Sequence, residues 1–250
     1  MLDLHGRVAL VTGGGAGMGY EISQRLAERG TNLALSYATS AAAAEKAAAD
    51  LHASAGVRCT MHHADLRRVA DADALVQSVL SEHGRLDVVV NCAGVTRFIR
   101  FEDLAAIDED IWDDILDVNL KGAFFLSRAA GLHMREHATG GVIVHITSTA
   151  AFSSRGSSLP YSVAKAGVVQ LTRTLALALA PSVRVNAVAP STVDTRWWDE
   201  ARDALERVRS GSRFGRLVTA EDVAEIAVQL VVNESMSGQT VAVDLASVMH

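Results

Sequence analysis

Tyr161 and Lys165 stand four residues apart. In a helix that spacing puts a phenol and an amine on one face, within reach of a common site. A tyrosine titrates near 10, so acid–base work near neutrality requires a shift of about three units, or roughly 4 kcal/mol. A unit positive charge about 4 Å away, at an effective dielectric near 20, contributes on the order of 4 kcal/mol. Lys165 is therefore expected to supply most of that shift. The pair arises readily by chance, and its meaning depends on the residues around it.

A second constellation is the run Thr12, Gly13, Gly14, Gly15, Ala16, Gly17, Met18, Gly19. It follows an apolar run and precedes a helical pattern over 20–28. Glycines there let backbone approach a pyrophosphate at a helix N-terminus, where free N–H groups and the helix dipole favour anions. A third pattern, His133 and His137 with Glu136 between them, has zinc-protease spacing. It closes a helix remote from the other motifs and suggests no third ligand, so no metal is expected.

The elements that must position these residues show in the hydrophobic pattern. Apolar runs at 8–11, 33–35, 57–61, 86–90, 142–146, 183–188 and 240–243 read as strands. Between them, Leu75, Val76, Val79 and Leu80 recur at helical spacing before Gly84. The alanine-rich stretch 41–49 reads as a helix. Thr219 and Asp222 form a capping-box pattern ahead of Val223, Ile226, Ala227, Leu230 and Val231. Strands alternating with helices imply a doubly wound parallel α/β sheet of Rossmann type, covered on both faces, in a single domain over 1–250.

The order Thr12 to Gly19, Asp65-Leu66, Asn91-Cys92-Ala93-Gly94, Asn119, Ser148, Tyr161 to Lys165 and Pro190 to Thr195 resembles the short-chain dehydrogenase/reductase family over nearly the whole chain, in particular 3-oxoacyl carrier-protein reductases and related carbonyl reductases. The resemblance implies hydride transfer between a nicotinamide and a ketone or secondary alcohol. Tyr161 would be the proton donor, Ser148, thirteen positions upstream, would hydrogen-bond the carbonyl oxygen, and Lys165 would also hold the nicotinamide ribose. Asn119 would position a water in a proton relay. Gly13, Gly15, Gly17, Met18 and Gly19 would cradle the pyrophosphate, Asp65 and Leu66 would hold adenine, and Asn91, Ala93 and Gly94 would pass the cofactor ribose. Pro190, Val193 and Thr195 would meet the carboxamide, ahead of a substrate lid around 194–215 that contains Trp197 and Trp198. Cys92, Ser191 and Leu245 depart from the family pattern.

An acidic residue ending the second strand would bind a ribose 2′-hydroxyl and indicate NAD. The segment Ser36-Tyr37-Ala38-Thr39-Ser40 has none. NADP, as NADPH, is favoured over NAD, with Tyr37 and Thr39 among the cofactor-binding positions.

The 250 residues are 49% hydrophobic with net charge −6 and no basic run, so nucleic acid is not an expected partner. No apolar window reaches the length of a membrane span. Cys59 and Cys92 have neither metal nor disulfide spacing, and no signal-peptide pattern opens the sequence, which suggests the reducing cytoplasm. The expected partners are a small carbonyl or alcohol substrate and further copies of the chain, a dimer or tetramer, through the helices of Asn119 and Lys165. Leu171, Leu175 and Leu179 make a stripe that would serve that contact or the core. The alternative is a dinucleotide-sensing or scaffold protein of the same fold. A thioester reductase is a special case, and the absence of basic residues over 175–180 weakens it.

Overall fold

A computed structural model of the chain describes residues 1–137, 140–199 and 201–248. Among the described residues seven strands, β1 (Val8–Thr12), β2 (Asn32–Tyr37), β3 (Cys59–His63), β4 (Val88–Asn91), β5 (Gly141–Ile146), β6 (Val183–Pro190) and β7 (Thr240–Val243), form one sheet in the order β3-β2-β1-β4-β5-β6-β7. Every neighbouring pair is parallel. The helices are α1 (Gly17–Ala27), α2 (Ala41–Ala55), α3 (Val69–His83), α4 (Glu109–Leu116), α5 (Ala123–Glu136), α6 (Leu159–Ala178), α7 (Arg202–Ser210) and α8 (Ala220–Val232).

Successive strand residues point to opposite faces, and two apolar layers follow from that alternation. Ala9, Val11, Leu33, Leu35, Val88 and Val90 pack with Ile22 and Leu26 of α1, Leu51 of α2 and Val223 and Ala227 of α8. Val8, Leu10, Val89 and Ile143 face the other way, onto Leu75 and Val79 of α3, Leu126 and Met134 of α5 and Leu175 of α6. Both faces are covered, so the central strands are continuous apolar runs.

The expected elements are all present, with shifted ends. β3 lies two residues beyond the apolar run at 57–61, because Cys59 is the residue in register with Leu33 while Val57 packs into the core ahead of the strand. α2 runs on to Ala55, where Gly56 stops it at φ +69°. α8 carries the reciprocal Thr219–Asp222 capping box. The leucine stripe is core: Leu175 and Leu179 are buried and Leu171 packs against them. The outward apolar residues of α5 and α6 are instead Phe124, Val163 and Leu177. At the departure from the family's glycine, Leu245 and Ala246 both take left-handed φ, +50° and +57°. The Asp244 carboxylate holds that turn by accepting from the N–H groups of Ala246 (3.2 Å) and Val248 (3.0 Å).

After β3 the chain crosses back over β1 to build β4, so the direction of winding reverses between β1 and β4. In open α/β sheets ligands bind outside the carboxyl ends of the strands at such a point.

Candidate active site

The crevice begins with a clamp. Thr12 ends β1 fully buried, and its Oγ1 accepts from the N–H groups of Cys92 (3.0 Å) and Ala93 (2.9 Å). This ties β1 to the segment leaving β4. The turn after Thr12 is packed too closely for side chains. A Cβ on Gly19 would lie 2.4 Å from the Gly13 carbonyl oxygen, and one on Gly15 would lie 2.9 Å from Ala44 Cα. Gly13 turns at φ +65°, a conformation that favours glycine. α1 starts here with no side-chain cap and no acid in its first turn. Its leading N–H groups and positive dipole end are therefore available to an anion, and the cradle fits a dinucleotide pyrophosphate. Gly17 sits against Thr195, whose Cγ2 would be 3.5 Å from a Cβ there, so the turn and the segment after β6 form opposite walls.

Ser148 follows β5 and Tyr161 lies in the first turns of α6, and Ser148 Oγ donates to the Pro190 carbonyl at 3.5 Å. Ser148 Oγ also accepts from Ala150 N–H at 3.1 Å, capping the short turn 149–152. Lys165, one helical turn after Tyr161, is 4% exposed, and its Nζ donates to the Ile146 carbonyl at 2.9 Å. The Thr147 hydroxyl donates to the Lys165 carbonyl at 2.8 Å and fastens α6 to the end of β5.

The protonation states differ from the expectation. Burial pushes the Tyr161 phenol up to about 12, with the Ser148 hydrogen bond pulling the other way. Burial brings the Lys165 ammonium down to about 8. The ammonium lies 5.5 Å from the Tyr161 ring centroid and is committed to a backbone carbonyl, so it does not bring the phenol toward neutrality by itself.

Asn119 does not lie in an ordinary α-helix. It sits in a π-helical turn, Asp117–Gly122, between α4 and α5, an irregularity found frequently at functional sites. Its Nδ2 donates to the carbonyls of Val95 and Ile115, both at 2.8 Å. Its buried Oδ1 has no hydrogen-bond partner among the described residues, and neither has Oδ1 of Asn91. Thr12, Asn91, Asn119, His145 and Lys165 line a cavity of about 10 Å³, the space of one water.

Beneath it runs a polar network that the sequence did not disclose. Asn91 Nδ2 donates to Ser127 Oγ at 2.9 Å, and His145 meets Ser127 Oγ and Thr172 Oγ1, each at 2.9 Å. His145 is fully buried, and burial with the nearby Lys165 charge holds its pKa down at about 3. A single histidine in an otherwise apolar strand gives no periodicity signal, and α5 and α6 supply its partners from far along the chain.

The remaining positions line the same edge. Tyr37 ends β2 with its ring edge-on to His63 at 5.6 Å, and Thr39 is exposed just beyond. Asp65 and Leu66 follow β3, where Arg67 Nη1 donates to the Asp65 carboxylate at 3.1 Å. Gly94 borders Asn119, Trp197 and Lys165. Pro190 ends β6, and Val193 forms a bridge with Val218. Away from this edge, the rings of His133 and His137 stack at 4.1 Å. Among the described residues no group of three or more His, Cys, Asp or Glu could hold a metal.

A parallel sheet with a glycine-lined crevice at its switch point, and a Ser–Tyr–Lys cluster beside it, defines a Rossmann-type α/β oxidoreductase scaffold. The family model for short chain dehydrogenase matches residues 7–206. A Streptomyces violaceoruber protein named as a granaticin polyketide synthase ketoacyl reductase is 40% identical, with 95% of this chain and 94% of that one covered. A Thauera aromatica hydroxy(phenyl)methylsuccinyl-CoA dehydrogenase subunit is 35% identical, covering 97% and 96%. A solved Sinorhizobium meliloti structure, named as a short-chain alcohol dehydrogenase, superposes with a TM-score of 0.88 at 32% identity, covering 97% and 96%. The chain belongs to the short-chain dehydrogenase/reductase family, oxidoreductases that use nicotinamide dinucleotides.

The buried imidazole makes a stability prediction. Its folded pKa lies below the unfolded value near 6.5, so the unfolded chain takes up the proton first. Stability should fall as pH drops from 6.5 toward 3, by up to about 1.4 kcal/mol per unit from this residue. In urea unfolding at a series of pH values, His145→Gln should flatten that slope, and an unchanged slope would contradict the assignment.

Proposed function

We propose that the protein interconverts a ketone and a secondary alcohol with NADP(H), Tyr161 acting as the acid–base group. The observation that carries this reading is the grouping of Ser148, Tyr161 and the buried Lys165 ammonium where β5 meets α6, next to the glycine cradle. A nicotinamide bound in the crevice supplies or accepts the hydride and, when oxidised, adds a positive charge.

In reduction Tyr161 Oη gives its proton to the carbonyl oxygen while Ser148 Oγ hydrogen-bonds that oxygen. Lys165 keeps a positive charge near the phenol that loses the proton and reaches the ribose. Asn119 Oδ1, with Asn91 Oδ1, holds a water in the adjoining cavity, through which the proton is replaced. Gly13, Gly15, Gly17, Met18 and Gly19 hold the pyrophosphate, and Asp65 and Leu66 the adenine. Asn91, Ala93 and Gly94 border the ribose, and Pro190, Val193 and Thr195 the carboxamide, under a lid over 194–215.

The preference for NADP rests on the end of β2, which has no carboxylate at Tyr37 or Thr39. His63 stands beside them, its Nε2–H donated to the Ala38 carbonyl at 3.1 Å. Cys59 and Cys92 are free thiols, and burial raises them to about 12 and about 11. Unreactive thiols of this kind suit a reducing cytoplasm. Among the described residues no helix is long and apolar enough to cross a membrane. Self-association, to a dimer or tetramer, uses the outward faces of α5 and α6 with Phe124 and Val163. Sedimentation showing only monomer would contradict that. The names of the relatives cited favour a 3-oxoacyl or aryl carbinol skeleton as the substrate.

Two measurements test the reading. Tyr161→Phe should bind NADPH as the native protein does while turnover of ketones drops about 10²–10⁴-fold. Near-native turnover would remove Tyr161 from the mechanism. The native protein should use NADPH with a higher kcat/KM than NADH, and equal use of the two or the reverse order would overturn the NADP assignment.

A further inference from the structure

The chain is poor in aromatic residues, with 5% Phe, Trp and Tyr in all and three tryptophans. Two of those tryptophans and an exposed phenylalanine nevertheless form two ring pairs, Trp197 with Tyr161 and Trp198 with Phe98. The Trp197 indole centroid lies 5.9 Å from that of the Tyr161 ring, tilted by 58°. The same indole borders Gly94, its Cη2 3.7 Å from where a Cβ on that residue would stand. Trp198 pairs with Phe98, centroids 5.0 Å apart, yet Phe98 remains 41% exposed.

The wall that carries Phe98 is fixed in place. Ile99 N–H donates to the Ser157 carbonyl at 2.8 Å, and the Thr96 and Ser157 hydroxyls are bonded at 2.5 Å. This pins the segment after β4 to the loop that leads into Tyr161. Arg97, the cation nearest in sequence, pairs with Asp114 at 3.5 Å. Rings thus come from two segments, the lid, whose Trp197 meets the Tyr161 ring, and the wall pinned to the loop before Tyr161.

We propose that the substrate carries an aromatic ring beside its carbonyl carbon, received by Trp197 and the Phe98–Trp198 pair. This rests on the ketone–alcohol reading of the site and specifies its substrate class. A saturated ring buries similar apolar area, but only an aromatic ring offers the face and edge electrostatics that offset and edge-on packing use. The surrounding tilted rings provide the complementary faces and edges, and the few polar groups at Ser148 and Tyr161 set the carbonyl's orientation.

The test compares a naphthyl methyl ketone with its fully saturated decalinyl counterpart. Binding is followed by NMR titration and turnover with NADPH, in the native protein and in Trp197→Leu and Phe98→Leu. The native protein should favour the naphthyl ketone, and the naphthyl-to-decalinyl ratio of Kd and of kcat/KM should fall about two- to tenfold in each variant. Equal binding of the two ketones by the native protein, or an unchanged ratio in both variants, would overturn the proposal. Preferential naphthyl binding without turnover of either ketone would support the aromatic site while removing the ketone–alcohol reading.

Discussion

The site depends on keeping an ammonium group inside the protein. Lys165 is almost wholly buried, and burial lowers its pKa to about 8. Taking a charge out of water costs several kcal/mol unless polar groups replace the lost hydration. The protein supplies such groups at the carboxyl ends of its central strands: the Ile146 carbonyl ending β5, and the open oxygens of Asn91 and Asn119 across a water-sized cavity. The interior beneath that cavity is polar rather than oily, and His145 stays neutral there because burial disfavours its charged form, with repulsion from Lys165 adding to it.

Other features follow from where this ammonium must sit. The bond from Thr147 to the Lys165 carbonyl sets the start of α6 against β5. That placement brings Tyr161, one turn earlier, beside Ser148 at the end of the same strand. The π-turn between α4 and α5 directs Asn119 inward and commits its amide to two backbone carbonyls, leaving its oxygen toward the cavity. On the other side of β4 the Thr12 clamp sets the width of the crevice and brings the glycine turn into line with the reacting groups.

Much of this was legible in the chain because it is local. Fully buried parallel strands are continuous apolar runs, and those of the central sheet stood out against their helices. The glycine turn and the Tyr161–Lys165 spacing are likewise short-range patterns. Contacts set by tertiary packing were not legible. The leucines at 171, 175 and 179 have the same periodicity whether they face a partner or the core, and only the fold assigns them to the core. A π-turn needs one extra residue per turn and leaves no mark on composition, so Asn119 read as an ordinary helical residue. The expectation that Lys165 would supply most of the tyrosine's shift treated one charge at fixed distance and left out the desolvation of both groups. In the folded protein that desolvation is the larger effect.

The pH dependence of ketone reduction measures that buried charge most directly. Tyr161 remains protonated to about 12, so the first group to lose its proton as pH rises is Lys165, at about 8. With NADPH and a reducible ketone, kcat/KM should hold level below that point and fall above it. A profile that stays level up to pH about 10, the ordinary range of a solvated lysine, would contradict the account.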